Sequence, residues 1–130
     1  LNKSSEGNML SHLGIVYTEV GTDYICGKMP VDHRTTQPLG MLHGGASVVL
    51  AESLGSIAAN MCLDNTKQYA VGLEINANHI RGVRGGTEFV FGKAKAVHLG
   101  ATTHIWQIDI TNEAGKLVCV SRLTMAILNK

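Results

Sequence analysis

Apolar and polar residues change their spacing several times along these 130 residues, and each change marks a different kind of element. Residues 12–20, HLGIVYTEV, and 23–31, DYICGKMPV, are short runs rich in β-branched and aromatic residues, parted at Gly21-Thr22, and they predict two strands. Residues 32–41, DHRTTQPLGM, hold Pro38 and Gly40 and read as a loop. From His43 to Cys62 the run HGGASVVLAESLGSIAANMC has no proline and no alternation, and is apolar on nearly every side. At that length a helix is the better reading than a strand. YAVGLEINANHI then alternates, which puts Val71, Leu73, Ile75 and Ala77 on one face and Glu74, Asn76 and Asn78 on the other. RGVRGG reads as a turn into TEFVFGKAKAV, HLGA as a turn into TTHIWQIDI, and NEAG as the closure of a hairpin into KLVCVSRLTMAIL. Consecutive long strands joined by short turns imply an antiparallel sheet.

One long helix and five or six strands leave few ways to cover every apolar face. A helix apolar all round has to be surrounded. Its many Gly, Ala and Ser residues keep it thin enough for a sheet to wrap closely. The expected fold is therefore α+β, one long central helix wrapped by a curved antiparallel sheet, with residues 1–130 forming one domain.

Composition narrows the function classes. Apolar residues at 45% and charged residues at 16% supply a core and too little charge for disorder. A net charge of +1 argues against nucleic acid or an anionic membrane surface as partner. The most apolar stretch, residues 39–63, contains His43, Glu52 and Asn60, which would be costly in lipid. Cys26, Cys62 and Cys119 are widely spaced with no CxxC, so a disulfide framework or zinc cluster is not expected, and a reducing cytoplasm fits best. No secretory signal pattern opens the chain, although it starts without Met and residues could precede Leu1. The six histidines show no HxxxH or HExxH spacing, so no metal is expected.

Glu52 is the anomaly, the only charged side chain between His43 and Leu63. A carboxylate in an apolar helix is expensive unless it meets solvent, pairs with an Arg, or does chemistry. His43-Gly44-Gly45 opens the same helix, where free N–H groups favour a developing oxyanion, or where the His merely caps. His43 and Glu52 are nine residues apart. That is about 900° of rotation and roughly 13–14 Å of rise, so they lie on opposite helix faces. If both serve one site, two copies of the chain must build it around a two-fold axis. Ser56, four residues past Glu52, shares its face and serves either a substrate or close packing. Gln37 can donate to a carbonyl from the loop before the helix. Arg81 and Arg84 follow the Asn78-His79 strand end. With the backbone of His98-Leu99-Gly100 at the end of the next strand, they are expected to reach phosphates but not a carbonyl held at Gly44. Ile57 and Asn60, one to two turns beyond Glu52, are expected to tune what fits beside it.

Taken together, QPLGMLHGGASVVLAESLGS, GLEINANHIR and the HLG turn resemble the hotdog-fold acyl-CoA thioesterases. The branch is the one that holds 4-hydroxybenzoyl-CoA thioesterase, the phenylacetate-type enzymes and, most similar, the 1,4-dihydroxy-2-naphthoyl-CoA hydrolase type, whose setting is menaquinone biosynthesis. The resemblance runs from about His12 to Leu128. It implies that Glu52 is nucleophile or general base, supplied by the partner chain, and that the Gly44 N–H polarises the thioester carbonyl with Gln37 and His43 assisting. It further implies that Ser56 holds the attacking water or carboxylate. Gly72, the stretch His79, Ile80, Arg81 and Gly82, and the stretch His98, Leu99, Gly100, Ala101, Thr102 and Thr103 would contact CoA. A homo-oligomer is implied, a dimer at least and a dimer of dimers by family habit, with no metal or other cofactor.

Two rivals share the fold. A hotdog dehydratase or hydratase would use a His with an acid near the helix, but here the acid follows HGG at the thioesterase spacing. A non-catalytic acyl-CoA-binding module is the other, and no DNA-binding segment is appended to make it a transcriptional sensor.

Overall fold

Asn8 accepts a hydrogen bond from the Leu10 N–H, and Gly14 adopts a left-handed φ of 76°, and between them they start and stop a short helix, α1, at Met9–Leu13. The first expected strand therefore begins four residues late. The computed structural model describes residues 1–130. A 3-10 turn at Asn2–Ser5 precedes α1, and β1 (Val16–Val20) and β2 (Tyr24–Pro30) follow it. Next come helix α2 (Gly44–Met61) and strands β3 (Gln68–His79), β4 (Phe89–Leu99), β5 (Thr103–Thr111) and β6 (Leu117–Asn129). All six strands form one antiparallel sheet in the order β1-β2-β4-β5-β6-β3, with α2 against one face, as the hydrophobic pattern led us to expect.

The packing rests on missing side chains. Gly27 and Gly92 are cross-strand partners, and a methyl group built on either would lie 2.9 or 2.5 Å from Leu54. On α2 itself, a methyl group on Gly55 would lie 2.5 Å from Leu123. Helix and sheet thus approach closely enough to bury Leu50, Leu54, Ile108, Ile110, Leu123 and Met125 completely. Each such side chain contributes about 1.5–3 kcal/mol of burial. A branched residue at Gly92 would push the helix off this surface.

Four expectations need correcting. First, α2 is not enclosed: the sheet covers one side, and Glu52, Ser53, Ser56, Ile57 and Asn60 stay half-buried on the other. Second, RGVRGG is not a hairpin turn. β3 pairs with β6 at the sheet's far edge, so residues 80–88 cross back to β4 and are pinned by Leu42 N–H to Val83 C=O and Gly85 N–H to Gly40 C=O. Third, β3 carries a bulge between Gly72 and Glu74, which gives Leu73 no opposite number on β6. The alternation changes parity there, so Val71 and Leu73 are exposed while Ile75 and Ala77 face the core. Fourth, antiparallel strands that follow one another finish at opposite ends of the sheet. His79 lies opposite Cys119 at the start of β6, whereas Thr103 lies opposite Ala126 near its finish.

Both outer strands carry a side-chain amide on their free edge. On β1, Asn2 donates from Nδ2 to the Tyr17 carbonyl (3.0 Å) and accepts from the Tyr17 N–H (2.7 Å). On β3, Asn60 donates to the Ala70 carbonyl (3.2 Å) and accepts from the Ala70 N–H (2.9 Å). No helix is long and apolar enough to cross a membrane.

Candidate active site

The start of α2 is built to leave one donor free. His43 is its N-cap and accepts from the Gly45 N–H through Nδ1 at 2.8 Å, while the N–H groups of Ala46 and Ser47 turn to the His43 carbonyl. Gly44 N–H keeps no partner within the chain, at the positive end of an 18-residue helix. With Nδ1 spent on capping, His43 retains Nε2 as its free nitrogen.

Gly44 lines a groove of about 320 Å³ with Gln37, Ser47, His79, Arg81 and Gly82. Gln37 accepts from the Leu39 N–H through Oε1, which leaves its NH2 group as the free donor. His79 packs on Gly44 itself: a methyl group there would lie 2.8 Å from His79 Nε2. The expectation that Arg81 and Arg84 both stay away from a carbonyl at Gly44 is therefore corrected for Arg81, which lines the same groove as Gly44, whereas Arg84 does not. The crossing connection after β3 folds the His79–Gly82 stretch back onto the helix start. Ser47, only 1% exposed, escaped the sequence reading. Its signal was present, since it sits one helical turn beyond Gly44.

Glu52 belongs to a second groove, about 350 Å³, shared with Leu10, Tyr17, Ser53, Ser56, Ile57 and Asn60. Neither of the chain's two ion pairs involves it, so pairing with an Arg is not the reason for its presence. It stands half-buried at the helix's open face, which relieves the desolvation expected of a sealed carboxylate. Burial pushes the Tyr17 phenol above its ordinary range, so it stays protonated beside this groove. Ser56 joins Glu52 as the spacing predicts. Asn60 lies there too, but its amide is committed to β3 and to the Ser56 carbonyl (2.9 Å), so its first task is to tie strand to helix.

No residue is common to the two grooves. Gly44 and Glu52 thus face different spaces within one chain, as their rotation on the helix requires. The His98–Thr103 turn stands at the opposite end of the sheet from Arg81, and within a chain the two cannot share one phosphate group. The largest concavity, about 600 Å³, lies on the sheet's outer face over Cys26, Phe91, Lys93 and Asp109 and holds none of the candidate residues.

Comparison with known proteins gives the family and the fold. Residues 39–119 match the model of the thioesterase superfamily. The 1,4-dihydroxy-2-naphthoyl-CoA hydrolase of Escherichia coli strain K12 is 54% identical over 128 residues, covering 98% of this chain and 92% of that protein. The crystal structure of a glutamine-to-alanine mutant of a thioesterase from Pseudomonas aeruginosa matches with a TM-score of 0.96 at 49% identity, over 99% of this chain and 91% of its own. Two mutants of a Staphylococcus aureus thioesterase, one glutamate-to-alanine and one glutamine-to-alanine, match with TM-scores of 0.90 and 0.87 at 36% identity. They cover 95% and 92% of this chain, and 100% and 97% of their own.

Proposed function

This chain belongs to the thioesterase superfamily, and from that premise we propose that it hydrolyses an acyl-CoA thioester carrying an aromatic or similarly bulky acyl group, with Glu52 as general base or nucleophile. The observation that carries the reading is the pairing of an unpartnered Gly44 N–H with a half-exposed, unpaired carboxylate on the same helix. The substrate carbonyl oxygen rests on the Gly44 N–H and the Gln37 NH2, which hold the negative charge that develops on it. With Glu52 as base, the carboxylate takes a proton from water as that water adds to the carbonyl carbon. The tetrahedral species then collapses, the C–S bond breaks, and CoA leaves as thiolate. A thiolate needs little protonation to leave, so one carboxylate and one set of donors suffice without a Ser-His-Asp triad.

Because Gly44 and Glu52 open onto separate grooves, a complete site takes Gly44 and Gln37 from one chain and Glu52 with Ser56 from its partner. Arg81 and His79 then meet the CoA portion from the Gly44 side. The His98–Thr103 turn serves the same CoA only from another chain. The spacing in the Staphylococcus aureus protein supports the assignment, since its two substituted positions lie fifteen residues apart, as Gln37 and Glu52 do here. The E. coli relative favours a naphthoyl-type acyl group.

Glu52→Gln is expected to fold normally and to lose thiol release from aryl-CoA and naphthoyl-CoA substrates by about two to four orders of magnitude. Activity within a few-fold of the unmodified protein would remove Glu52 from the mechanism.

A further inference from the structure

We propose that Gly72 is a positioning residue for the Glu52 carboxylate, acting by the side chain it lacks and placed by the bulge in β3. This rests on Glu52 being the working carboxylate. A methyl group built on Gly72 would lie 2.5 Å from Glu52 Oε2 and 3.5 Å from its carboxyl carbon, while the next neighbour, Leu123 Cδ1, stands at an ordinary 3.8 Å. The carboxylate is therefore the one group within reach that has to move, and it sits at the end of a flexible chain. No ion pair holds it, so the bare wall of β3 is what bounds its positions on that side.

The bulge makes this wall part of a larger arrangement. Side chains seven residues apart on a regular strand point to opposite faces. Gly72 and His79 are seven apart, yet Gly72 meets Glu52 and His79 meets Gly44, both on the helix side. The unmatched Leu73 supplies the change of parity. One strand thereby touches both the carboxylate and the carbonyl-binding end of the same helix.

The experiment compares Gly72→Ala, Glu52→Asp, the double variant and Glu52→Gln by steady-state hydrolysis of benzoyl-CoA and by thermal melting. Gly72→Ala is expected to lower kcat about 10–100-fold, the order of loss a displacement near 1 Å produces, with KM within about threefold and Tm within a few degrees. Glu52→Asp, one methylene shorter, withdraws the carboxylate from the added methyl. It should cost at least about tenfold alone and less than about threefold beside Gly72→Ala, a non-additivity that a general structural effect would not give. Losses that simply add would overturn the proposal. So would a raised KM at unchanged kcat, which marks Gly72 as a substrate contact, or an unfolded Gly72→Ala, which shows that the fold and not the carboxylate has to yield. A fully active Glu52→Gln removes the reading beneath the proposal. An inactive Glu52→Gln beside a fully active Gly72→Ala overturns the proposal alone.

Discussion

Asn60 shows how one side chain serves both architecture and site. Its amide meets the Ser56 carbonyl and both backbone groups of Ala70, so it fastens β3 to the helix turn that carries Ser56. Asn60→Ala would leave those Ala70 groups to find water at a half-buried edge, and is expected to destabilise the fold by about 1–3 kcal/mol in urea unfolding. A loss below about 0.3 kcal/mol would show that solvent replaces the clamp. From sequence, Asn60 reads as a pocket residue, because hydrogen bonds to a distant strand leave no trace in spacing. Glu52 and the His43-Gly44-Gly45 start are legible for the opposite reason. A lone charge in an apolar run and paired glycines at a helix entry are local anomalies. Gly72 enters the sequence reading only as an expected CoA contact through the resemblance; a glycine in a strand can mark a close approach without saying that Glu52 is what leans against it.

Among elements, the long helix, the strands around it and their antiparallel pairing follow from periodicity. What periodicity lacks is parity and connectivity. The bulge at Leu73 divides one alternating run between two faces, and the crossing at residues 80–88 looks like a hairpin turn because it is as rich in Gly as a turn is. The loop before α2 carries a pH-dependent fastening. Arg34 donates to both Asp32 oxygens, Nη2 to Oδ2 at 2.6 Å, and these hydrogen bonds hold the Asp32 carboxyl down to about 2, below its ordinary 3.8. A carboxyl lowered in the folded state stabilises above its ordinary value, and the benefit fades as pH falls towards 2. The pair is partly exposed and so screened. Arg34→Ala should therefore lower Tm by only about 1–4 °C at pH 6, with the gap closing between pH 4 and 2. A gap that stays constant with pH would assign Arg34 a packing role against Gly14 instead.

At the scale of the whole molecule, the free edge of β3 and its exposed Val71 and Leu73, the latter 64% exposed, offer a second chain a place to pair. Light scattering is expected to give a mass of at least twice 13.9 kDa. An active species at 13.9 kDa would contradict the two-chain site. An open sheet has two edges, and a unit able to bond at both polymerises instead of closing. Asn2 alters that count. By occupying both backbone groups of Tyr17, its amide stands where the first residue of an incoming strand would dock on β1. Asn60 does the same for Ala70 alone, and strand β3 runs on for nine residues beyond it. In the language of polymer chemistry, pairing through sheet edges would be monofunctional: two β3 edges joined leave no second edge for growth, and any larger assembly has to use the faces of the pair. Replacing Asn2 by Ala should restore the second functional end and raise the fraction of species larger than the unmodified protein forms, with turnover per site unchanged.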